Sequence, residues 1–132
     1  MDLADKRRYI RIFFPVDLTI RGTITIPENL DSKLDVRIMN LSEGGIGFTL
    51  NKNAYRKIYR GENLTLNEVS GYEPIHFLNN IELIIRWVLD EKDLEHYGLG
   101  GEFVDPNKEL IQKIGIFVDY WVNTRHVSKK NK

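Results

Sequence analysis

From Val16 to Ile26 the chain reads VDLTIRGTITI, and Val16, Leu18, Ile20, Ile24 and Ile26 fall on alternate positions either side of Gly22. Successive side chains of a strand point to opposite faces, so this spacing makes one apolar and one polar face, the pattern of a half-buried strand. Pro27 and the polar run ENLDSK close it, after which Leu34, Val36 and Ile38 alternate with Lys33, Asp35 and Arg37 in a second strand. Asn40 to Gly47 is turn-forming. Ile46, Phe48 and Leu50 then make a third strand, and the Gly61 to Asn63 turn introduces a short fourth around Leu64 to Leu66. Ile81 to Leu89 is short and β-branched, and Tyr97 to Val104 supplies a further strand carrying three glycines. Six strands packed this closely predict a mainly β fold, an antiparallel barrel that is closed or nearly so.

The period then changes. Leu110, Ile111, Ile114, Val118, Trp121 and Val122 recur at spacings of three and four, beginning just after Pro106, which predicts an amphipathic C-terminal α-helix. Its apolar stripe is expected to cover an open side or end of the barrel, although Phe117, Tyr120 and Trp121 on that stripe also suit a partner. With 132 residues and no low-complexity linker, one domain is expected. It would span residues 1–126: an N-terminal segment over 1–15, the barrel over 16–105 and the helix over 106–126. The basic residues 127–132 are expected to form a disordered tail.

Several functions drop out on composition. Nineteen basic and nineteen acidic residues cancel, so no global field gathers DNA, RNA or an anionic membrane. Cysteine is absent, which removes disulfides, thiolate metal sites and cysteine nucleophiles together. His76, His96 and His126 are widely spaced and sit beside no second ligand type, so no metal site is expected. Ser42 lies outside any G-x-S-x-G elbow, and the glycines of SEGGIG lack the lysine of a nucleotide-hydrolysing P-loop, so the chain is not expected to be an enzyme. MDLADKRR at the N-terminus has no apolar stretch, and no later run is long enough to span a membrane. Cytoplasmic residence without membrane insertion is the expectation.

What remains is KRRYIRI, Lys6 to Ile12, with four cations in seven positions. Two arginines four apart, Arg7 and Arg11, can converge on one anionic ligand, and guanidinium forks match both phosphate oxygens and the O6/N7 edge of guanine. The second element is Asn40-Leu41-Ser42-Glu43-Gly44-Gly45, set where one strand ends and the next begins. Its Asn and Ser side chains serve one of two ends. They hold a turn through local backbone bonds, or they offer an amide and a hydroxyl to a base or phosphate over the bare backbone of Gly45.

Together the two elements resemble the PilZ domain family, whose signature is R-x-x-x-R followed, about thirty residues on, by [D/N]-x-S-x-x-G on a barrel. Arg7 to Arg11 and Asn40 to Gly45 match both, and the strands, the YGLGGEFVD segment and the trailing helix are similar to that family's layout. The resemblance implies a six-stranded split barrel that binds the second messenger cyclic di-GMP. It further implies that Arg7 and Arg11 clamp guanine edges and phosphates, that Asn40 and Ser42 bond a guanine, and that Gly45 leaves room. Asn40 stands where Asp is common in the family, keeping an acceptor but losing a charge. Lys6 occupies the position that the resemblance connects with binding one ligand molecule or an intercalated pair, and Arg8 is an auxiliary cation.

The mechanism expected on this reading is an N-terminal segment that orders against the barrel when ligand arrives, changing the surface offered to a downstream protein partner. Two other readings compete: a PilZ-like interaction module that binds no nucleotide, and a single-stranded nucleic-acid-binding barrel, which the balanced charge disfavours.

Overall fold

Branched side chains suit a pleated surface, and valine, isoleucine and threonine recur through the segments that pair. In the computed structural model, which describes residues 9–54 and 56–130, the strands are β1 (Ile12–Phe13), β2 (Arg21–Ile26), β3 (Asn29–Leu41), β4 (Gly45–Asn51), β5 (Asn63–Ser70), β6 (Ile81–Leu89) and β7 (His96–Phe103), followed by helix α1 (Lys108–Lys130). All pairings are antiparallel. Neighbours run β3-β2-β5-β6-β7-β4, and β4 pairs back onto β3, closing a barrel of the six long strands. The short β1 lies along the end of β3 that β2 does not reach, with Ile12 opposite Leu41 and Phe13 opposite Asn40. Ile24, Ile38, Phe48, Leu66, Leu83 and Leu99 fill the interior and are essentially inaccessible to solvent.

The strand expected from Val16 begins only at Arg21. Pro15 opens a turn closed by the Leu18 N–H donating to the Pro15 carbonyl at 3.0 Å, and the Arg37 guanidinium donates to the carbonyl of Val16, whose side chain is 80% exposed. The alternation continued through a turn because Ile20, not Val16, is the first residue of that run to enter the core. The helix also departs from its expected end. It runs to Lys130, past His126 and into the stretch expected as a disordered tail, because neither glycine nor proline follows Gly115 to stop it. Its start is capped by Asn107, whose Oδ1 accepts the Leu110 N–H at 2.7 Å.

Helix α1 closes one end of the barrel with aromatic rings. Phe117 and Trp121 meet Phe14 and Tyr72 at centroid distances of 5.2–6.5 Å, Phe14 standing edge-on to Trp121. Such pairs contribute about 0.5–1.5 kcal/mol each beyond area burial. Ile114, Phe117, Val118 and Trp121 are buried, whereas Ile116 and Tyr120 face solvent. Among the described residues no helix is long and apolar enough to cross a membrane.

Two irregularities in the barrel place the functional groups. On β3, Ile38 opposes Phe48 but Asn40 opposes Gly47, so Met39 is an extra residue. On β6, Ile85 opposes Gly101 but Trp87 opposes Gly100, so Arg86 is extra. Each β-bulge reverses which residues face inward beyond it. Past Met39 it is Leu41 that enters the core in the place strict alternation gives to Asn40, and past Arg86 it is Trp87 that leaves the core phase of Ile81, Leu83 and Ile85.

Candidate functional site

The β6 bulge opens onto a recess of about 450 Å³, lined by Tyr9, Arg11, Ser42, Gly44, Gly45, Arg86, Trp87, Gly101 and Glu102 among others. Arg11 enters it one residue before β1. Its Nη1 donates to Asn40 Oδ1 at 2.6 Å, a part-buried, charge-assisted bond that fixes the guanidinium and leaves most of its N–H donors free. Burial holds the Arg11 pKa below its ordinary value, yet arginine stays charged at any physiological pH. Asn40 therefore stands behind Arg11, and is not itself on the cavity wall. Its amide lies flat on β4: a Cβ at Gly47 would come within 2.5 Å of both Asn40 Oδ1 and Nδ2.

Ser42 is buried at the floor of the recess and its hydroxyl is occupied. Oγ accepts the Gly44 N–H at 3.1 Å and the Gly45 N–H at 3.2 Å, while the Ser42 N–H donates to the Gly45 carbonyl at 2.9 Å. Here the turn-holding alternative describes the geometry. Gly45 likewise has a reason within the sheet, since a Cβ there would lie 2.3 Å from the Gly101 carbonyl oxygen on β7. Gly44 carries the Tyr9 ring, with its missing Cβ 3.2 Å from Tyr9 Cδ2. Arg7 and the auxiliary cations Lys6 and Arg8 lie outside the described residues.

Sequence reasoning passed over the opposite wall. Trp87 is half-exposed and lies across β7, where a Cβ at Gly100 would sit 2.0 Å from its Nε1. The YGLGGEF segment thus has a physical reason for its glycines, because Gly100 gives the indole a seat. Arg86 and Glu102 form an ion pair across the bulge. Two arginines face one glutamate in the recess, and that pairing leaves Arg11 as its uncompensated charge among the described residues. A cation held in place and an indole face together suit a planar, anionic ligand such as a nucleotide.

A family model described as the PilZ domain matches residues 5–119. The chain belongs to the PilZ domain family. Among solved structures, YcgR from Escherichia coli in complex with c-di-GMP is similar over 96% of this chain and 51% of that one, with a TM-score of 0.65 and 18% identity. The isolated PilZ domain of the same protein with c-di-GMP gives a TM-score of 0.66 at 18% identity, over 96% of this chain and 98% of that one. The K. pneumonia MrkH–c-di-GMP complex gives 0.66 at 14% identity, over 96% and 55%. At these identities the likeness is one of fold, and this chain spans about half the length of the longer proteins. No curated protein matches it. The matched region contains Arg7, Arg11, Asn40, Ser42 and Gly45, and it reaches into α1, which touches the motif loop directly: a Cβ on Gly115 would lie 2.3 Å from Glu43 Oε2.

Proposed function

We propose that this PilZ domain is a receptor, not an enzyme, and that its ligand is cyclic di-GMP. The observation that carries the reading is Arg11: its guanidinium is anchored on Asn40, has no carboxylate partner among the described residues, and stands on the wall of a recess opposite an indole. Arg11, with Arg7 of the same segment, takes the guanine edge and phosphate of the ligand. Asn40 orients Arg11. Ser42 and Gly45 shape the loop whose backbone meets the ligand, and Trp87 offers its ring to a base.

Relay follows from the chain path. Arg11 is three residues from Phe14, whose ring stands 5.2 Å from Trp121, and the motif loop meets the same helix through Glu43 and Gly115. Ordering of the N-terminal segment by ligand is thereby passed to α1 and to the surface a downstream protein partner reads.

The test is a calorimetric titration with cyclic di-GMP beside GTP and cyclic di-AMP. Wild type should bind cyclic di-GMP selectively, and Arg7→Ala and Arg11→Ala should each weaken binding by roughly tenfold to a hundredfold, the value of a bidentate arginine contact. No heat from the wild type, or unchanged affinity in both variants, overturns the assignment.

A further inference from the structure

Arg86 and Trp87 wall two recesses, not one. On their far side lies a second, of about 400 Å³, completed by Lys57, Tyr59, Arg60 and Asp90. The turn that carries Tyr59 and Arg60 is held firmly. The Gly61 N–H donates to the Ile85 carbonyl at 2.7 Å, and the Ile85 N–H donates to the Glu62 carbonyl at 2.9 Å, tying the turn to β6 just before the Arg86 bulge. The Glu62 carboxylate accepts the Tyr59 N–H at 2.8 Å and is itself gripped by Arg56 at 2.6 Å, which also bonds Glu28.

The charges of this recess sort themselves. Lys57 pairs with Asp90 at 2.6 Å, a carboxylate it shares with Lys52 at 3.2 Å, and Arg86 pairs with Glu102. Arg60 has no hydrogen-bond or ion-pair partner among the described residues and is exposed, beside the exposed ring of Tyr59. The second recess thus repeats the first in kind: one uncompensated guanidinium, one tyrosine at the outer wall and the shared indole. Cyclic di-GMP has matching halves, each with one guanine and one phosphate, so two such recesses about one tryptophan suit the two halves.

Resting on the cyclic di-GMP reading, we propose that the Tyr59 to Gly61 turn is a second subsite of the ligand site. Tyr59 receives a guanine face there, beside Trp87, and Arg60 takes the phosphate or guanine edge.

The experiment is calorimetry with cyclic di-GMP on the full chain, comparing wild type with Arg60→Ala, Arg60→Lys, Tyr59→Leu and Arg11→Ala, with Lys92→Ala as an exposed control and thermal melting of each variant without ligand. Arg60→Ala and Tyr59→Leu should each weaken binding about tenfold, Arg60→Lys should recover part of the loss, and Lys92→Ala should bind as wild type. Melting of Arg60→Ala should not move, since that side chain bonds nothing among the described residues. If wild type binds and Arg11→Ala loses affinity while Arg60→Ala and Tyr59→Leu bind normally, the subsite is refuted and the primary reading stands. If wild type does not bind at all, both fall.

Discussion

A methyl group added at Gly47, a residue that does not line the cavity, should weaken ligand binding. An alanine Cβ there would sit 2.5 Å from Asn40 Oδ1, whereas an ordinary contact begins at 3.4 Å, so the amide must retreat by about 0.9 Å. Asn40 is buried and has little room to do so. A displacement of that size along the 2.6 Å bond to Arg11 opens it to about 3.5 Å, the outer limit of a hydrogen bond. Arg11 then regains rotamer freedom that binding must remove again, at a cost of about 0.5–1.5 kcal/mol, or roughly twofold to tenfold in affinity. Overpacking adds about 1–3 kcal/mol of destabilisation. The assay is cyclic di-GMP calorimetry with thermal melting on Gly47→Ala, Asn40→Gly and the double variant. Because both changes act through one bond, the double variant should bind no more weakly than Asn40→Gly alone, and the vacated space should relieve the melting penalty. Additive losses in binding, or Gly47→Ala binding as wild type, would refute the reasoning.

Ser42→Ala removes the acceptor of two loop N–H groups, of which that of Gly45 is buried, and should destabilise by about 1–3 kcal/mol, a fall in Tm of roughly 5–15 °C. An unchanged melting temperature would show that the hydroxyl does not hold the turn. Glu62 is held below its ordinary pKa, first by the hydrogen bond from Arg56. A carboxylate depressed in the folded state adds stability above its unfolded pKa and loses it as pH falls through the folded value, so the contribution should fade as pH drops from the ordinary carboxylate range, about 4.3, downward. Urea unfolding across that range should show a shallower acid slope in Arg56→Met than in wild type.

Periodicity made the six barrel strands and the helix legible, because both report burial on one face. It failed where the chain turns without leaving its rhythm, as at Val16 to Leu18, and where a single extra residue breaks phase. Strict alternation through IELIIRWVL places Trp87 inward with Ile85; only the pairing with β7 reveals the Arg86 bulge that turns it out. Arg11, Ser42 and Gly45 were legible as letters of a motif, but their division of labour was not. That Asn40 serves Arg11, and that Ser42 serves the Gly44 and Gly45 amides, depends on contacts across strands and within a turn that spacing does not encode. Tyr59 and Arg60 carried no signal at all, since their placement rests on backbone bonds to β6.

The bulges at Met39 and Arg86 make the site a matter of parity. Pairing either residue regularly, with the bulge straightened and every motif letter in place, would swap the inward and outward roles of all that follows in its strand, sending Asn40 or Trp87 into the barrel. A relative can thus keep R-x-x-x-R and N-x-S-x-x-G intact and still lose the Arg11–Asn40 bond and the outward indole, so the two bulges shape the recess as much as the letters do.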